Sequence, residues 1–494
     1  MVFSDTAFLF AFLPITILVY FLLDWIIPRI NTKFRCKLSG LMFGNCWLLI
    51  ASIFFYGWAK PEYALILISS IALNYFGAIW VDAFRAKNLH LLAVWATVIV
   101  NLALLFFFKH LNLAVDTLNL LLSPGNQLQV VDIVLPIGIS FFTLQGISYV
   151  IDVYRNDVPV QRNFLNIAIY IAIFPKLIAG PIVRYADINT EIDCRNTTAA
   201  DFSEGIERFI IGLFKKVLIA DTMALVANPV FSATTANLSV GALWIGMLAY
   251  AMQIFFDFSG YCDMAVGLGR IFGFHFTENF NYPYTTKSVA EFWQRWHISL
   301  SAFFRNYIYI PLGGNKKRVY LNTTIVFLLA GIWHGSAYTF IAWGIWHCLL
   351  CIGERLFKKF VIPKIEYQPT KAATVAHNVA QHVYTCLAVS LGWVIFRAES
   401  FKNALVYIVS LFGFGQTQGY YTAGWFINYR SIFVFFLALL LSTPLVKIAI
   451  EKLQQHMTEL IFTILKYIVL LIVLLICVMA VISNAHSPFI YFHF

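Results

Sequence analysis

The chain has 494 residues and is 60% apolar, 17% aromatic and only 12% charged, with 34 Lys and Arg against 24 Asp and Glu for a net charge of +10. An ordinary soluble domain carries roughly 25% charged residues. That composition, with a mean hydropathy of +0.77, excludes a soluble globule, a disordered chain, collagen and a disulfide scaffold. The apolar excess runs the length of the chain and reads as a polytopic membrane protein.

About 20 apolar residues cross a bilayer as a helix. Such runs fall near 7–27, 38–59, 62–81, 90–108, 133–153, 164–182, 205–225, 238–258, 321–334 with 337–353, 379–396, 430–449 and 458–483. They predict an all-α fold of about 11–13 crossings, some broken or re-entrant. Barrel strands would alternate over about ten residues. The run Thr463–Ser483 does not alternate, so helices are expected. The first run opens at Asp5 without a basic cluster, and Leu22–Pro28 offers no small-residue cleavage site. It therefore reads as a span and not as a cleaved signal.

Basic residues crowd particular loops: Arg29, Lys33, Arg35 and Lys37 in the first, Arg85 and Lys87 in the third, then Lys316, Lys317, Arg318, Lys358 and Lys359. Loop bias of this kind marks the cytoplasmic side. The N-terminus is expected outside, and nucleic acid is not needed to explain the net charge. No hydrophilic block is long enough for a soluble domain, and no repeat of 20–50 residues is visible. One membrane domain is expected over 1–494, with N-terminal helices to 160, a core over 161–355 and C-terminal helices over 379–494.

The eight cysteines are scattered, and Cys348 and Cys351 form a lone CxxC beside His347. A metal or redox site needs further ligands, so these read as small helix residues and no metal is expected.

The stretch from Gln253 to Cys351 departs from a plain spanning pattern. It holds Asp257, Asp263, Arg270, Glu291, Arg295, His297, Arg305 and His334 among aromatics. An ionised group at the bilayer centre costs about 2.5–3.5 kcal/mol on insertion scales. These residues are therefore expected to face protein or a water-accessible cavity. Glu291 and Arg295, four apart, can pair on one helix face. The segment 289–310 is too polar for a lipid-facing span and reads as a helix inside the bundle or at its interface. Trp293 and Trp296 fit an interfacial aromatic belt as well as a site. In Gly331-Ile-Trp-His-Gly335 a histidine closes one short apolar run, and a Gly break precedes the next. This suggests a hairpin or broken helix with His334 buried at the junction. Tyr309-Ile-Pro-Leu-Gly-Gly-Asn-Lys-Lys-Arg318 is a turn followed by three bases. It suits phosphates, but the loop charge bias explains it equally well. There is no GxSxG, HExxH or P-loop, which disfavours a serine hydrolase, a zinc protease and an ATP-driven pump.

Several segments resemble the membrane-bound O-acyltransferase superfamily, in its bacterial alginate O-acetylase and peptidoglycan O-acetyltransferase branch. They are Val2–Phe10, Leu135–Thr143, Ser148–Arg155, Phe174–Arg184, Phe256–Tyr261 with Asp263, Phe292–Leu300, Tyr309–Asn315, Gly331–Gly335 and Phe489–Phe494. The resemblance covers nearly the whole chain. It implies a helical fold around a tunnel, His334 as the superfamily's catalytic histidine and His297 at the second signature position. It implies acetyl-CoA as the cytoplasmic donor. The acceptor would lie outside the inner membrane, an exported polysaccharide or cell-wall glycan reached directly or through a periplasmic acetyltransferase or esterase-like partner. On that reading His334 is the general base. His297 positions the acetyl carbonyl, stabilises the oxyanion or shares proton transfer. Arg295, Arg305, Lys316, Lys317 and Arg318 are candidates for the anionic donor. Asp257, Ser259, Tyr261, Asp263, Glu291, Trp293, Trp296 and Trp333 are candidates to line or brace the tunnel. A transporter without covalent chemistry is the alternative of another class, since broken helices and midplane charges fit it too. Release of free CoA from acetyl-CoA separates the two.

Overall fold

The structure, a computed structural model, describes residues 1–34, 39–360, 370–415 and 417–483. Arg35, Cys36 and Lys37 of the first basic loop, and the terminal motif Phe489–Phe494, lie outside the described residues. Among the described residues the regular structure is helical, with two isolated backbone bridges and no strand. A helix satisfies its backbone internally, as a non-alternating apolar segment needs where no water can serve it.

Eight helices among the described residues are long and apolar enough to cross a membrane, or nine if the bent pair Tyr429–Leu441 and Leu445–Gln455 is one span. The runs expected near 133–153 and 164–182 fold as shorter helices of 17 and 9 residues, and the run near 205–225 lies inside a continuous helical stretch from Ala199 to Ser232, with a π-helical segment at Lys215–Ala220, that is not among the candidate spans. The first of these is buried over nearly its whole length, which its polar residues Ser140, Gln145, Ser148 and Asp152 require. Apolar content alone therefore does not identify a lipid-facing span.

The chain divides into two compact units. The first comprises 1–213 and 261–277. Its helices include α1 (Leu13–Phe34), α2 (Gly40–Gly57), α3 (Glu62–Ala83), α4 (His90–Leu105) and α5 (Ile139–Arg155). Ser39 starts α2 by accepting a hydrogen bond from the Met42 N–H at 3.3 Å. Helix α3 packs on both α4 and α5. Asn74 and Asn101 exchange side-chain hydrogen bonds of 3.2 and 3.0 Å between α3 and α4, the polar glue expected between membrane helices. A Cβ at Gly146 of α5 would stand 2.3 Å from the Asn74 amide nitrogen, so this contact needs glycine. The unit also buries Lys176, which donates to Gln145 Oε1 at 2.5 Å and to the Tyr170 carbonyl.

The second unit comprises 214–260 and 278–494. It contains most of α6 (Val240–Ile271), then α7 (Val289–Arg295), α8 (Ile298–Phe304), α9 (Val319–His334), α10 (Tyr338–Phe360) and α11 (Lys371–Arg397). Buriedness differs sharply along the chain: 72% of the apolar window of α6 is inside the protein, against 11% for Glu459–Ile482. The terminal helix presents its side chains outward, whereas α6 is a core element that can carry polar groups. Asp257 of α6 and Asp221 both bind the buried Lys216 ammonium, at 2.9 and 2.8 Å. Such burial is tolerable only when charges are paired. The unit's core gathers Tyr284, Phe292, Trp296, Phe340, Trp343, Trp393 and Phe396.

Candidate active site

Helices α9 and α10 form a tight antiparallel hairpin. A Cβ at Gly331 would stand 2.5 Å from the Phe340 carbonyl oxygen, and one at Gly344 would stand 2.4 Å from that of Phe327. Glycine lets the two backbones touch at both levels. At the open end, Arg355 donates to Asn315 Oδ1 at 2.9 Å. Lys316–Arg318 and Lys358–Lys359 therefore sit at the same end of the hairpin. His334 is the last residue of α9, at the closed end, about 24 Å away at 1.5 Å per residue. The expected hairpin is present, with unequal arms: α9 has 16 residues, and α10, with 23, is long enough to cross.

His334 is buried, at 4% exposure, among rings. The centroids of Trp333, Trp343 and Phe396 lie 4.9, 4.9 and 5.3 Å from its own, all at steep angles. This is an apolar cage around a titratable group, built by α9, α10 and α11.

The segment 289–310 is not one helix. Helix α7 ends at Arg295, Trp296 is extended, and His297 sits in the left-handed region at φ 46°. A non-glycine residue holds that conformation only when its surroundings insist. They do so through Asn279. Its carbonyl oxygen accepts from the Ile298 N–H at 3.0 Å. Its side-chain Oδ1 accepts from the Ser299 N–H at 3.0 Å and hydroxyl at 2.9 Å, and lies 3.2 Å from His297 Nδ1. Phe280 and Trp296 are bridged as an antiparallel pair, and the Asn281 N–H donates to the Arg295 carbonyl at 3.0 Å. These bonds to residues 279–281 break the helix that local periodicity alone would continue. His297 is fully buried, with Phe258 4.7 Å and Trp333 6.0 Å from its ring centroid. It lies outside the candidate spans, and burial pushes its pKa down to about 3, so the ring is neutral at pH 7.

The start of α7 is fastened from another element. Glu354 on α10 accepts from the Val289 and Ala290 N–H groups at 2.7 and 3.2 Å. Ser288 caps the same helix through the Glu291 N–H at 3.1 Å. The expected Glu291–Arg295 pair forms at 2.7 Å.

His297 and His334 both contact Trp333. A third histidine extends the series: the ring of His347 lies 5.1 Å from Trp343, which also touches His334. His347 is fully buried, and its Nδ1 faces Trp293 Nε1 at 3.3 Å. An indole N–H can only donate, so Nδ1 accepts and the imidazole hydrogen is on Nε2. That atom and Trp343 Nε1 are buried without a hydrogen-bond partner among the described residues. Buried donors of this kind call for an acceptor such as water or a carbonyl.

Other expected site residues fall in distinct places. Trp296 is a buried core residue on Phe292 and Trp393, and Trp293 is partly buried and packs against that core on Trp343 and His347. Asp257 and Ser259 are buried in the second unit. Tyr261 and Asp263, on the same helix α6, belong to the first unit: Tyr261 stacks on Phe3 at 4.6 Å and Asp263 pairs with Arg208 at 2.7 Å. Arg295 is half-buried and also lies 3.3 Å from Thr285 Oγ1, while Arg305, Lys316, Lys317 and Arg318 are exposed. The turn before the three bases is closed by Asn322, whose amide donates to the Gly314 and Lys317 carbonyls at 3.0 and 2.8 Å. Among the described residues no three His, Cys, Asp or Glu side chains converge as a metal site requires. Asn279, Glu354, His347 and Lys216 were not anticipated as parts of the site or its frame. Asn279 lies 18 positions from His297 and has no spacing signal.

Comparisons with known proteins identify the family. The membrane-bound O-acyltransferase family model matches residues 155–395, a range that contains all three histidines. The chain is 42% identical over 428 residues to a protein of Pseudomonas aeruginosa named probable alginate O-acetylase AlgI, covering 85% of this chain and 76% of that one. It is 34% identical over 449 residues to the peptidoglycan O-acetyltransferase of Helicobacter pylori, covering 84% and 80%. It is 30% identical over 281 residues to the teichoic acid D-alanyltransferase of Bacillus subtilis, covering 54% and 70%. This chain therefore belongs to the membrane-bound O-acyltransferase family and is a multi-pass membrane acyltransferase.

Proposed function

We propose that the protein takes acetyl groups from cytoplasmic acetyl-CoA and passes them across the inner membrane for O-acetylation of an exported polysaccharide, with an alginate-type polymer the first candidate. The observation that carries this reading is the 42% identity, over 85% of the chain, to a protein named for alginate O-acetylation. The peptidoglycan O-acetyltransferase match, at 34% over 84% of the chain, supports cell-wall glycan as the second reading. A periplasmic acetyltransferase or esterase-like protein is the proposed partner for the final transfer.

His334 is proposed as general base. A neutral imidazole in an apolar cage takes the proton of a hydroxyl as its oxygen bonds to the acyl carbon. The C–S bond then breaks, and the thiolate takes that proton back. His297 works on the other side of Trp333. The basic end of the α9–α10 hairpin suits the phosphates of the donor, and the loop charge bias supports a cytoplasmic position for Lys316, Lys317 and Arg318. Glu291, Trp293, Trp296 and Trp333 are the residues proposed to brace the histidines, and Asp257 and Ser259 are proposed to line or brace the tunnel within the second unit. Tyr261 and Asp263 serve the first unit, on Phe3 and Arg208.

The test is to delete the gene and measure ester-linked acetate separately on exported polysaccharide and on peptidoglycan. Loss from the polysaccharide supports the first reading. Loss from peptidoglycan alone moves the acceptor to the cell wall. Unchanged acetate on both removes this proposal.

A further inference from the structure

We infer that Asn279 is a positioning residue that fixes His297 as the tautomer with hydrogen on Nδ1 and the lone pair on Nε2. His297 then meets its substrate as a hydrogen-bond acceptor and not as a donor to the acyl carbonyl. This rests on the proposed function only in taking His297 to touch substrate.

The assignment follows from donors and acceptors. Asn279 has a side-chain oxygen and a side-chain nitrogen that could in principle be exchanged. The Ser299 backbone N–H, 3.0 Å away, can only donate, so the atom it meets is the oxygen. The same atom lies 3.2 Å from His297 Nδ1. A carbonyl oxygen carries no hydrogen, so Nδ1 must supply it. A neutral imidazole has one N–H. The other nitrogen, Nε2, therefore holds the lone pair. Nothing in this depends on the ring being strongly basic.

The consequence is chemical. Of the three roles open to His297, holding the acetyl carbonyl and stabilising its oxyanion both need an N–H at the substrate. The neutral ring offers none at Nε2. What remains is to accept from a substrate O–H or N–H: the acceptor's hydroxyl, or an amide N–H on the pantetheine arm of the donor. Any positive charge gathered on the ring is stabilised at the far side, because Nδ1–H binds the Asn279 oxygen more strongly as it becomes more acidic. His347 is set the opposite way by the Trp293 N–H, with hydrogen on Nε2. The same residue type therefore presents opposite polarity at two places in one aromatic core.

The contacts around His297 come from several elements. Titratable residues beside them are Arg295 and Glu291 on α7, Glu278 next to the clamp, Asp257 next to Phe258 on α6, and His334 next to Trp333 on α9.

The direct experiment is 15N NMR of detergent-solubilised full-length protein carrying 15N-histidine, with His297 assigned by difference from His297→Gln. The expected spectrum shows Nδ1 protonated and Nε2 unprotonated. The reverse pattern overturns the inference, whatever the enzyme's activity. The second experiment is Asn279→Asp, which keeps an oxygen for all three donors but adds a negative charge at Nδ1. A neighbouring opposite charge raises a histidine pKa by about 1–3 units. The acid limb of the pH–rate profile should therefore move to higher pH by that amount. An unmoved limb would reduce Asn279 to a structural brace and contradict the inference. In His297→Ala, a raised KM for acetyl-CoA identifies the amide as the donor, and a fall in kcat alone identifies the hydroxyl. If His297→Ala acts like the wild type, the catalytic reading of His297 fails, while the NMR result still stands by itself.

Discussion

Two turns in the second unit carry histidines, and different forces hold them. At 296–299 the backbone is bent into a left-handed residue and secured by a polar clamp, with Asn279 accepting from Ser299 and Ile298 and its Oδ1 lying 3.2 Å from His297 Nδ1. At 334–337 the turn closes a hairpin of touching helices, and Trp333, Trp343 and Phe396 surround the imidazole. Ring packing of this kind decides where an imidazole sits. It does not choose which nitrogen carries the hydrogen; a clamp oxygen does. The contrast teaches that ring packing fixes where an imidazole sits, while a hydrogen-bonding clamp such as that at Asn279 also bears on which nitrogen carries its hydrogen.

The comparison can be broken most severely at His334. His334→Ala is expected to lower acetyl transfer by about 10²–10⁴-fold, the range for loss of a general base, while the variant still elutes as a folded protein from size-exclusion chromatography. Activity near wild type would leave the aromatic cage without a catalytic role. Next comes the hairpin. Gly344→Val drives a side chain into the Phe327 carbonyl, 2.4 Å from the first added carbon. Overpacking of this kind costs roughly 1–3 kcal/mol. A lower melting temperature in detergent is expected, and an unchanged one would mean the helices can part without penalty.

A smaller effect is expected at the polar turn's support. Glu354→Gln weakens the anchor on Val289 and Ala290, hydrogen bonds worth about 1.5–3 kcal/mol when one partner is charged. Activity should fall several-fold, because α7 leads directly into the turn that carries His297; unchanged activity would remove Glu354 from the support of that turn. The smallest effect is expected at the exposed bases. Replacing Lys316, Lys317 and Arg318 with Glu should raise KM for acetyl-CoA and spare kcat, and the shift should shrink at high salt. An unchanged KM would remove these residues from the donor site. A reporter fused at Lys316 that reads periplasmic would reverse the proposed orientation.

Much of the fold could be read from the sequence because bilayer physics is a length rule, and the runs at 62–81, 238–258 and 458–483 obey it. Where polar residues interrupt a run, as in Ile139–Arg155, burial in protein replaces exposure to lipid, and hydropathy alone does not tell the two apart. The His334 junction was legible through its glycines, and the Glu291–Arg295 pair through its spacing. The break at His297 was not, because its cause is a clamp from Asn279. His347 was visible but discounted beside a CxxC, and nothing local shows that it would enter the same aromatic core. Asp257 and Asp263 stand six positions apart, yet one pairs with Lys216 and the other with Arg208, in different units. Such pairings are set by tertiary packing that no window of sequence contains.

The most direct measurement is CoA release from acetyl-CoA by purified protein in detergent, comparing wild type with His334→Ala and His297→Ala. The wild type is expected to release free CoA in the presence of an acceptor alcohol, with release lost in His334→Ala and strongly reduced in His297→Ala. Equal release by all three proteins would contradict the assignment of acyl transfer to these two buried imidazoles.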